Sequence, residues 1–461
     1  MLADTYALGA ATGVEGPLLF LKRTVNVGLN QAVEIEETEG PSRLGYIAAL
    51  DDDTITVEVM DATRGMSLAD TRVRFHGERL QFAVGPDILG RVFDGVGRVI
   101  DGGPQISATK TFNIDGLAIN PAMRASPTDF IETGISTIDI MNSLVRGQKL
   151  PIFSGSGLPH DELAIQIAHQ SRLRGSDVGD FAIVFAAIGV PYDTAERFRR
   201  AMESSGALEH TALFLNLASD SSTQRLLTPR YALTAAEYLA FVEGRHVLVI
   251  MTDMTNYCEA LREVAASHGV VPSRKGFPGY MYSDLATLYE RAGSIKEVPG
   301  SLTQLPILTM PSDDITHPIP DLTGYITEGQ IVLDRVLDRA DIYPPVKVLP
   351  SLSRLMKDGT GENFTHPDHP ALANQLYAAY ARAVHVRVLA SVVGREGLAE
   401  IDQLFLDFGD RFEQQLVHQK GARTLEQSMQ TGWELLRALP VTELTRLDDE
   451  QIKQHITAKP E

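Results

Sequence analysis

Cysteine is nearly absent from this chain: Cys258 is the only one in 461 residues. A lone thiol forms no internal disulfide, so the fold must rest on its core, and the composition fits a reducing compartment. Basic charge is also short. Lys and Arg number 41 against 60 Asp and Glu, a net charge of −19, which argues against a nucleic-acid groove as the main function. Met1-Leu2-Ala3-Asp4-Thr5 carries no basic stretch, so a secretory signal is not expected. No apolar run reaches the roughly 20 residues that cross a bilayer, so membrane association is expected only through partners. No short repeat or low-complexity tract stands out. The 12 His residues show no metal-ligand spacing, and His366 and His369, set among prolines, read as loop. No metal site is expected.

What is present is 44% hydrophobic residues, enough for two or three domains with sizeable cores. Residues 1–75 read as short strands and turns. Thr54-Ile55-Thr56-Val57-Glu58-Val59 alternates apolar and polar after the turn-like Asp51-Asp52-Asp53, and Val73 and Phe75 repeat the alternation. A small β-barrel is expected. Residues 76–355 alternate buried strands, such as 182–186 and 247–251, with helices expected over 195–205 and 232–243. This pattern predicts an α/β nucleotide-binding-type domain with a mostly parallel sheet. From 356 to 461 strands disappear. Leu404, Phe408, Phe412 and Leu416 recur every four residues, and Leu372, Leu376 and Tyr380 form a second stripe, so a C-terminal α-helical bundle is expected. Residues 359–361 and 366–370 read as a hinge.

The segment 146–162 reads Arg-Gly-Gln-Lys-Leu-Pro-Ile-Phe-Ser-Gly-Ser-Gly-Leu-Pro-His-Asp-Glu: a strand, a glycine-rich turn and a helix start. A working phosphate loop, G-x-x-x-x-G-K-[ST], uses backbone N–H groups, a Lys and a Mg²⁺-holding hydroxyl. In that frame Ser154 takes the first Gly, Pro159 the second, His160 the Lys and Asp161 the hydroxyl residue; Gly155 and Gly157 remain within the turn. Pro159 has no N–H to donate, and His160 is shorter and mostly neutral at pH 7. Asp161 and Glu162 place carboxylates at a helix N-terminus that would otherwise attract phosphate. The loop survives as architecture without its ligand chemistry.

Several stretches resemble the rotary ATPase family: 89–95 with 100–102, 133–139, 146–148, 283–293 and 344–354. Lys347 departs from the Asp or Asn usual at its place. Ser154 to His160, Ser-Gly-Ser-Gly-Leu-Pro-His, is similar to the loop of the B subunits of the archaeal and vacuolar branch. The resemblance implies a non-catalytic regulatory subunit of an ion-transporting ATP synthase. It would alternate with the catalytic A subunit in a six-membered ring, beside central rotor and peripheral stalk subunits and peripheral to the cytoplasmic face of the membrane. ATP or ADP with Mg would sit at the interface with the A subunit, the chain's own site staying empty or weak. Arg354 aligns with the arginine finger that such a subunit inserts into its neighbour's site. Ser353, Leu352 and, loosely, Thr316 align with residues lining that interface. Val190 stands where catalytic members carry a water-orienting Glu. Asp253 ends an apolar strand where an acidic residue would hold Mg²⁺ through water.

Each reading has a plainer counterpart. The loop could be a tight turn and Asp253 a helix cap, Ser and Thr in loops commonly bond the backbone, and Arg354 could be a salt bridge anchoring 350–353 to the sheet. A self-sufficient ring ATPase would need the Lys and the Glu that His160 and Val190 replace, and a pure scaffold would need no finger.

Overall fold

Alternating apolar residues make the N-terminal strands in the computed structural model, which describes residues 5–8, 11–37, 42–116, 118–173 and 180–457. By contacts the chain divides into two units, Met1–Pro121 with Ala182–Arg291, and Ala122–Phe181 with Ala292–Glu461.

The first unit holds a seven-stranded antiparallel β-barrel sheet. Its order is Thr5–Leu8, Arg72–Arg79, Gln31–Glu36, Arg43–Leu50, Thr54–Val59, Leu18–Lys22, Ala11–Glu15. Leu19, Val33, Ile35, Ile47, Ile55, Val57 and Phe75 fill its core. The period of two holds in Thr54–Val59, yet Thr56 and Glu58 on the other face are buried too. Two helices cover Glu58: in Ser222–Phe241, Thr223 Oγ1 donates to Glu58 Oε1 at 2.9 Å, and at the end of Met254–Ser267, His268 Nε2 lies 3.2 Å from Glu58 Oε2.

The rest of this unit places the strands His246–Thr252, Phe181–Val190, Thr211–Leu217 and Val92–Asp94 side by side. Phe181–Val190 and Thr211–Leu217 run parallel, as continuous apolar runs covered on both faces require. The helix expected over 195–205 spans Tyr192–Ser205. The one expected over 232–243 begins ten residues earlier, at Ser222, with the Ser221 side chain accepting from Gln224 N. Pro229 lies inside this helix, where a proline ordinarily costs a backbone hydrogen bond, but Leu226, Leu227, Tyr231 and Leu233 on both sides of it are buried, and that burial carries the helix through the proline.

The second unit sets the strands Val346–Ser353, Gly329–Leu333, Ile152–Gly155 and Ser301–Met310 in that order. Ile152–Gly155 runs parallel to both of its neighbours, and Gly329–Leu333 runs antiparallel to Val346–Ser353. The helices His369–Val393, Glu400–Phe412 and Leu425–Leu436 follow and share one core. Leu372, Leu376, Phe408, Phe412 and Leu416 lie in it as expected, but Leu404 is 40% exposed and Phe405 is buried instead. Steps of four drift off a helix of 3.6 residues per turn, whereas 405, 408 and 412 stay on one face. The stretch read as a hinge is tied down: His369 is fully buried, its Nε2 2.9 Å from Ile140 O. By length and average composition alone His369–Val393 is apolar enough to cross a membrane, although Arg382, His385 and Arg387 interrupt it. Among the described residues its Leu372, Leu376, Ala379, Ala383 and Val386 pack into the helical core.

Candidate functional site

The strand Ile152–Gly155 is wholly buried and delivers the chain into the loop. Gly157 has φ +78, the left-handed region that glycine reaches at little cost. Leu158 N donates to Gly155 O at 3.1 Å and His160 N to Leu158 O at 2.8 Å. Two amides of the loop are thus used inside the turn. Pro159 is the N-cap of the helix His160–Gln170 and offers no side-chain cap. His160 does not reach outward as a Lys would. Its Nδ1 is 3.0 Å from Ser154 Oγ and its Nε2 is 3.6 Å from Asp161 Oδ1, so the replaced positions 154, 160 and 161 are joined to one another.

Two residues that the sequence did not single out close the loop. Arg335 Nη2 donates to Ser156 O at 2.8 Å, and the same guanidinium forks onto Asp313 with bonds of 2.8 and 2.9 Å. The Asp313 carboxylate lies so near that a Cβ on Gly155 would be 2.2 Å from its Oδ1. Arg335's hydrogen bonds hold the Asp313 carboxyl below its ordinary range. No local pattern could have flagged a pair so far along the chain from the loop it meets. Beside it lies a cavity of about 640 Å³, lined by Leu158, Asp313, Val336, Lys347 and Pro350 among others. Lys347, the departure from the family signature, donates to Asp334 Oδ2 at 2.5 Å. Asp334 in turn caps the helix Arg335–Arg339 by accepting from Val336 N and Leu337 N.

Arg354 follows the edge strand Val346–Ser353. Residues alternate there, so Ser351 and Ser353 point inward while Leu352 and Arg354 are exposed. The Arg354 guanidinium donates one hydrogen bond, to Thr327 O at 3.3 Å, and among the described residues it forms no ion pair. The anchoring salt bridge that was its plainer reading is therefore not formed among them. Ser353 Oγ donates to Ser143 O at 2.9 Å and accepts from Gln148 Nε2 at 3.0 Å, so its hydroxyl is used internally. Leu352, Ser353 and Arg354 share a cavity of about 570 Å³ with Asn142, Asn374 and Tyr377. Thr316 is not part of that lining; its N–H and hydroxyl both donate to Asp314 Oδ1, closing a local turn.

In the first unit, Asp253 caps the helix Met254–Ser267 by accepting from Thr255 N at 2.8 Å. Val190 is 4% exposed and presents only an apolar side chain. Among the described residues no group of three or more His, Cys, Asp or Glu gathers as a metal site.

Three family models match this chain in order: the beta-barrel domain of the ATP synthase alpha/beta family over residues 11–77, its nucleotide-binding domain over 134–353, and the C-terminal domain of V and A type ATP synthase over 358–456. A V-type ATP synthase beta chain of Halothermothrix orenii is 53% identical over 457 residues, 99% of this chain and 98% of that one. The chain belongs to the V- and A-type ATP synthase B-subunit family. The B 1 subunit of the A-type ATP synthase of Methanospirillum hungatei is 54% identical over 446 residues, 96% of each chain. Among solved structures, an ATP synthase subunit from Nanoarcheaum equitans matches with a TM-score of 0.74 and 37% identity, covering 88% of this chain and all of that one. The V- and A-type family thus accounts for barrel, α/β region and helical bundle together.

Proposed function

We propose that this chain is the non-catalytic subunit of a rotary V/A-type ATP synthase, and that it lends Arg354 to the ATP site of a neighbouring catalytic A subunit. The two subunits would alternate in a six-membered ring, with MgATP or MgADP at the interface that Arg354 faces. Ring, central rotor stalk and peripheral stalk would hold the chain at the cytoplasmic face of the membrane, without a nucleic-acid partner. A planar cation with five donors suits the charge spread over the γ-phosphoryl oxygens in the transition state.

The observation that carries this reading is the loop. Positions 160 and 161 hold His and Asp, the amides of Leu158 and His160 are turned inward, and Asp313 with Arg335 lies against Gly155. A chain with its own phosphate site closed, Val190 in place of a general base and an exposed Arg354 is suited to help a neighbour's chemistry. The test is turnover by the purified chain against turnover by the ring reconstituted with the A subunit. The chain alone is expected to show none and the ring to hydrolyse MgATP; steady-state hydrolysis by the lone chain, free of partner, would refute the assignment.

A further inference from the structure

Arg354 is held more firmly through its backbone than through its side chain. Its N–H donates to Glu328 O at 2.9 Å, and its Nη1 reaches Thr327 O at the longer 3.3 Å. Both acceptors belong to the turn 327–329, and this turn is fastened at Lys149. Glu328 N donates to Lys149 O at 3.0 Å, Lys149 N donates to Glu328 Oε2 at 2.8 Å, and Lys149 Nζ lies 2.9 Å from Glu328 Oε1. The Lys149 side chain is only 4% exposed, so that carboxylate helps to stabilise its buried charge. Gln148 adds two bonds, from Nε2 to Glu328 O at 3.1 Å and to Ser353 Oγ at 3.0 Å. Gly329 completes the fit, since a Cβ there would be 2.0 Å from Leu352 O.

We propose that Lys149 and Glu328 are positioning residues for Arg354, fixing the turn that presents its guanidinium. The proposal rests on Arg354 acting in a neighbour's site. An exposed arginine samples many rotamers, and a cation that must meet a transition state works best already in place. Lys149 lies just before Ile152–Gly155, the strand that enters the closed loop. The segment leading into a phosphate loop without its ligand chemistry thus keeps a role, that of holding the arginine of the edge strand.

The test uses the ring reconstituted with the A subunit, measuring kcat and KM for MgATP, ring assembly, and the melting temperature of the chain. Glu328→Gln keeps the shape but removes the charge. Lys149→Met with Glu328→Gln removes both charges, so no unpaired ion stays buried. Both are expected to lower kcat about 10- to 100-fold in assembled rings, as a misplaced group does, with KM changed less than about twofold. In an Arg354→Ala ring they should add almost nothing, because the group they position is gone. The proposal is overturned if they lower kcat as much in the Arg354→Ala ring, if kcat falls only where assembly or melting also fails, or if kcat is kept. If Arg354→Ala itself turns over at the wild-type rate, the finger reading falls and this proposal with it. If Arg354→Ala suppresses turnover while the Glu328 variants do not, only the positioning role is lost.

Discussion

The loop's closure comes down to a few atoms. The Asp313 carboxylate rests on Gly155, Arg335 bonds the Ser156 carbonyl, and His160 turns back to Ser154. Replacing His160 with Lys and Asp161 with Thr should therefore raise nucleotide affinity only slightly, since Asp313 still lies against the turn and Pro159 still lacks an N–H. Adding Asp313→Ala frees Arg335 and removes the carboxylate, and calorimetry should then show a clear further gain in affinity with turnover still absent. A full gain from the first two substitutions alone would mean that Asp313 closes nothing. At Arg354, Lys keeps the charge but loses the planar fork. Arg354→Lys should lower ring turnover by about 10³–10⁵, or roughly 4–7 kcal/mol of barrier. For the finger proposed above, the loss should fall on kcat far more than on KM, because a finger's contact strengthens in the transition state. Wild-type kcat in an intact ring would return Arg354 to a structural role. The replaced loop positions were legible in sequence because they are contiguous. The Asp313–Arg335 pair was not, because only folding brings it there.

Elements are joined by buried polar contacts that sequence patterns do not show. Arg291 is fully buried just beyond the helix Met281–Tyr289. It bonds both Glu237 oxygens at 2.7 Å, Thr234 Oγ1 at 3.0 Å and Ile114 O at 2.9 Å, binding the helix Ser222–Phe241 to the 114 region. Cutting one partner of such a pair leaves the other charge poorly solvated. Arg291→Ala should destabilise the isolated chain by about 3–5 kcal/mol in urea titration, and a loss below about 1 kcal/mol would show the pair to be dispensable. His268 joins strand Thr54–Val59 to the end of helix Met254–Ser267. Its hydrogen bond to Glu58, aided by that carboxylate's charge, raises its pKa against the opposing effect of burial. A folded pKa above the unfolded value means the contribution is complete below about pH 6.5 and fades as pH rises through the folded pKa. The urea midpoint of the wild-type chain should fall across that window relative to His268→Gln, and parallel curves for the two would remove the linkage. The helix itself was expected from the alternation of buried strands and crossovers, but its early start at Ser222 was not, because burial around Pro229 outweighs its local cost.

At the scale of the molecule, the sequence by itself determined the order of architectures and the family: barrel, α/β region and helical bundle follow from period-two, continuous and 3.6-period apolar patterns. It also determined which chemical groups the loop lacks, since a missing Lys is missing in any fold. The tertiary structure alone decided how the chain is apportioned. Contacts group 1–121 with 182–291 and 122–181 with 292–461, because strands far apart in sequence become neighbours once a sheet forms, and no linear boundary expresses that. Tertiary structure also decided the roles of single polar residues. Ser353 turns inward and Arg354 outward by one step of strand alternation, Glu58 is buried beneath a helix that starts far along the chain at Ser222, and Lys149 holds the distant turn at Glu328. The physical reason is common to all of these. Periodicity records which face of an element avoids water, whereas what a polar group does depends on the partner within about 3 Å of it, and that partner is fixed only when the chain closes on itself.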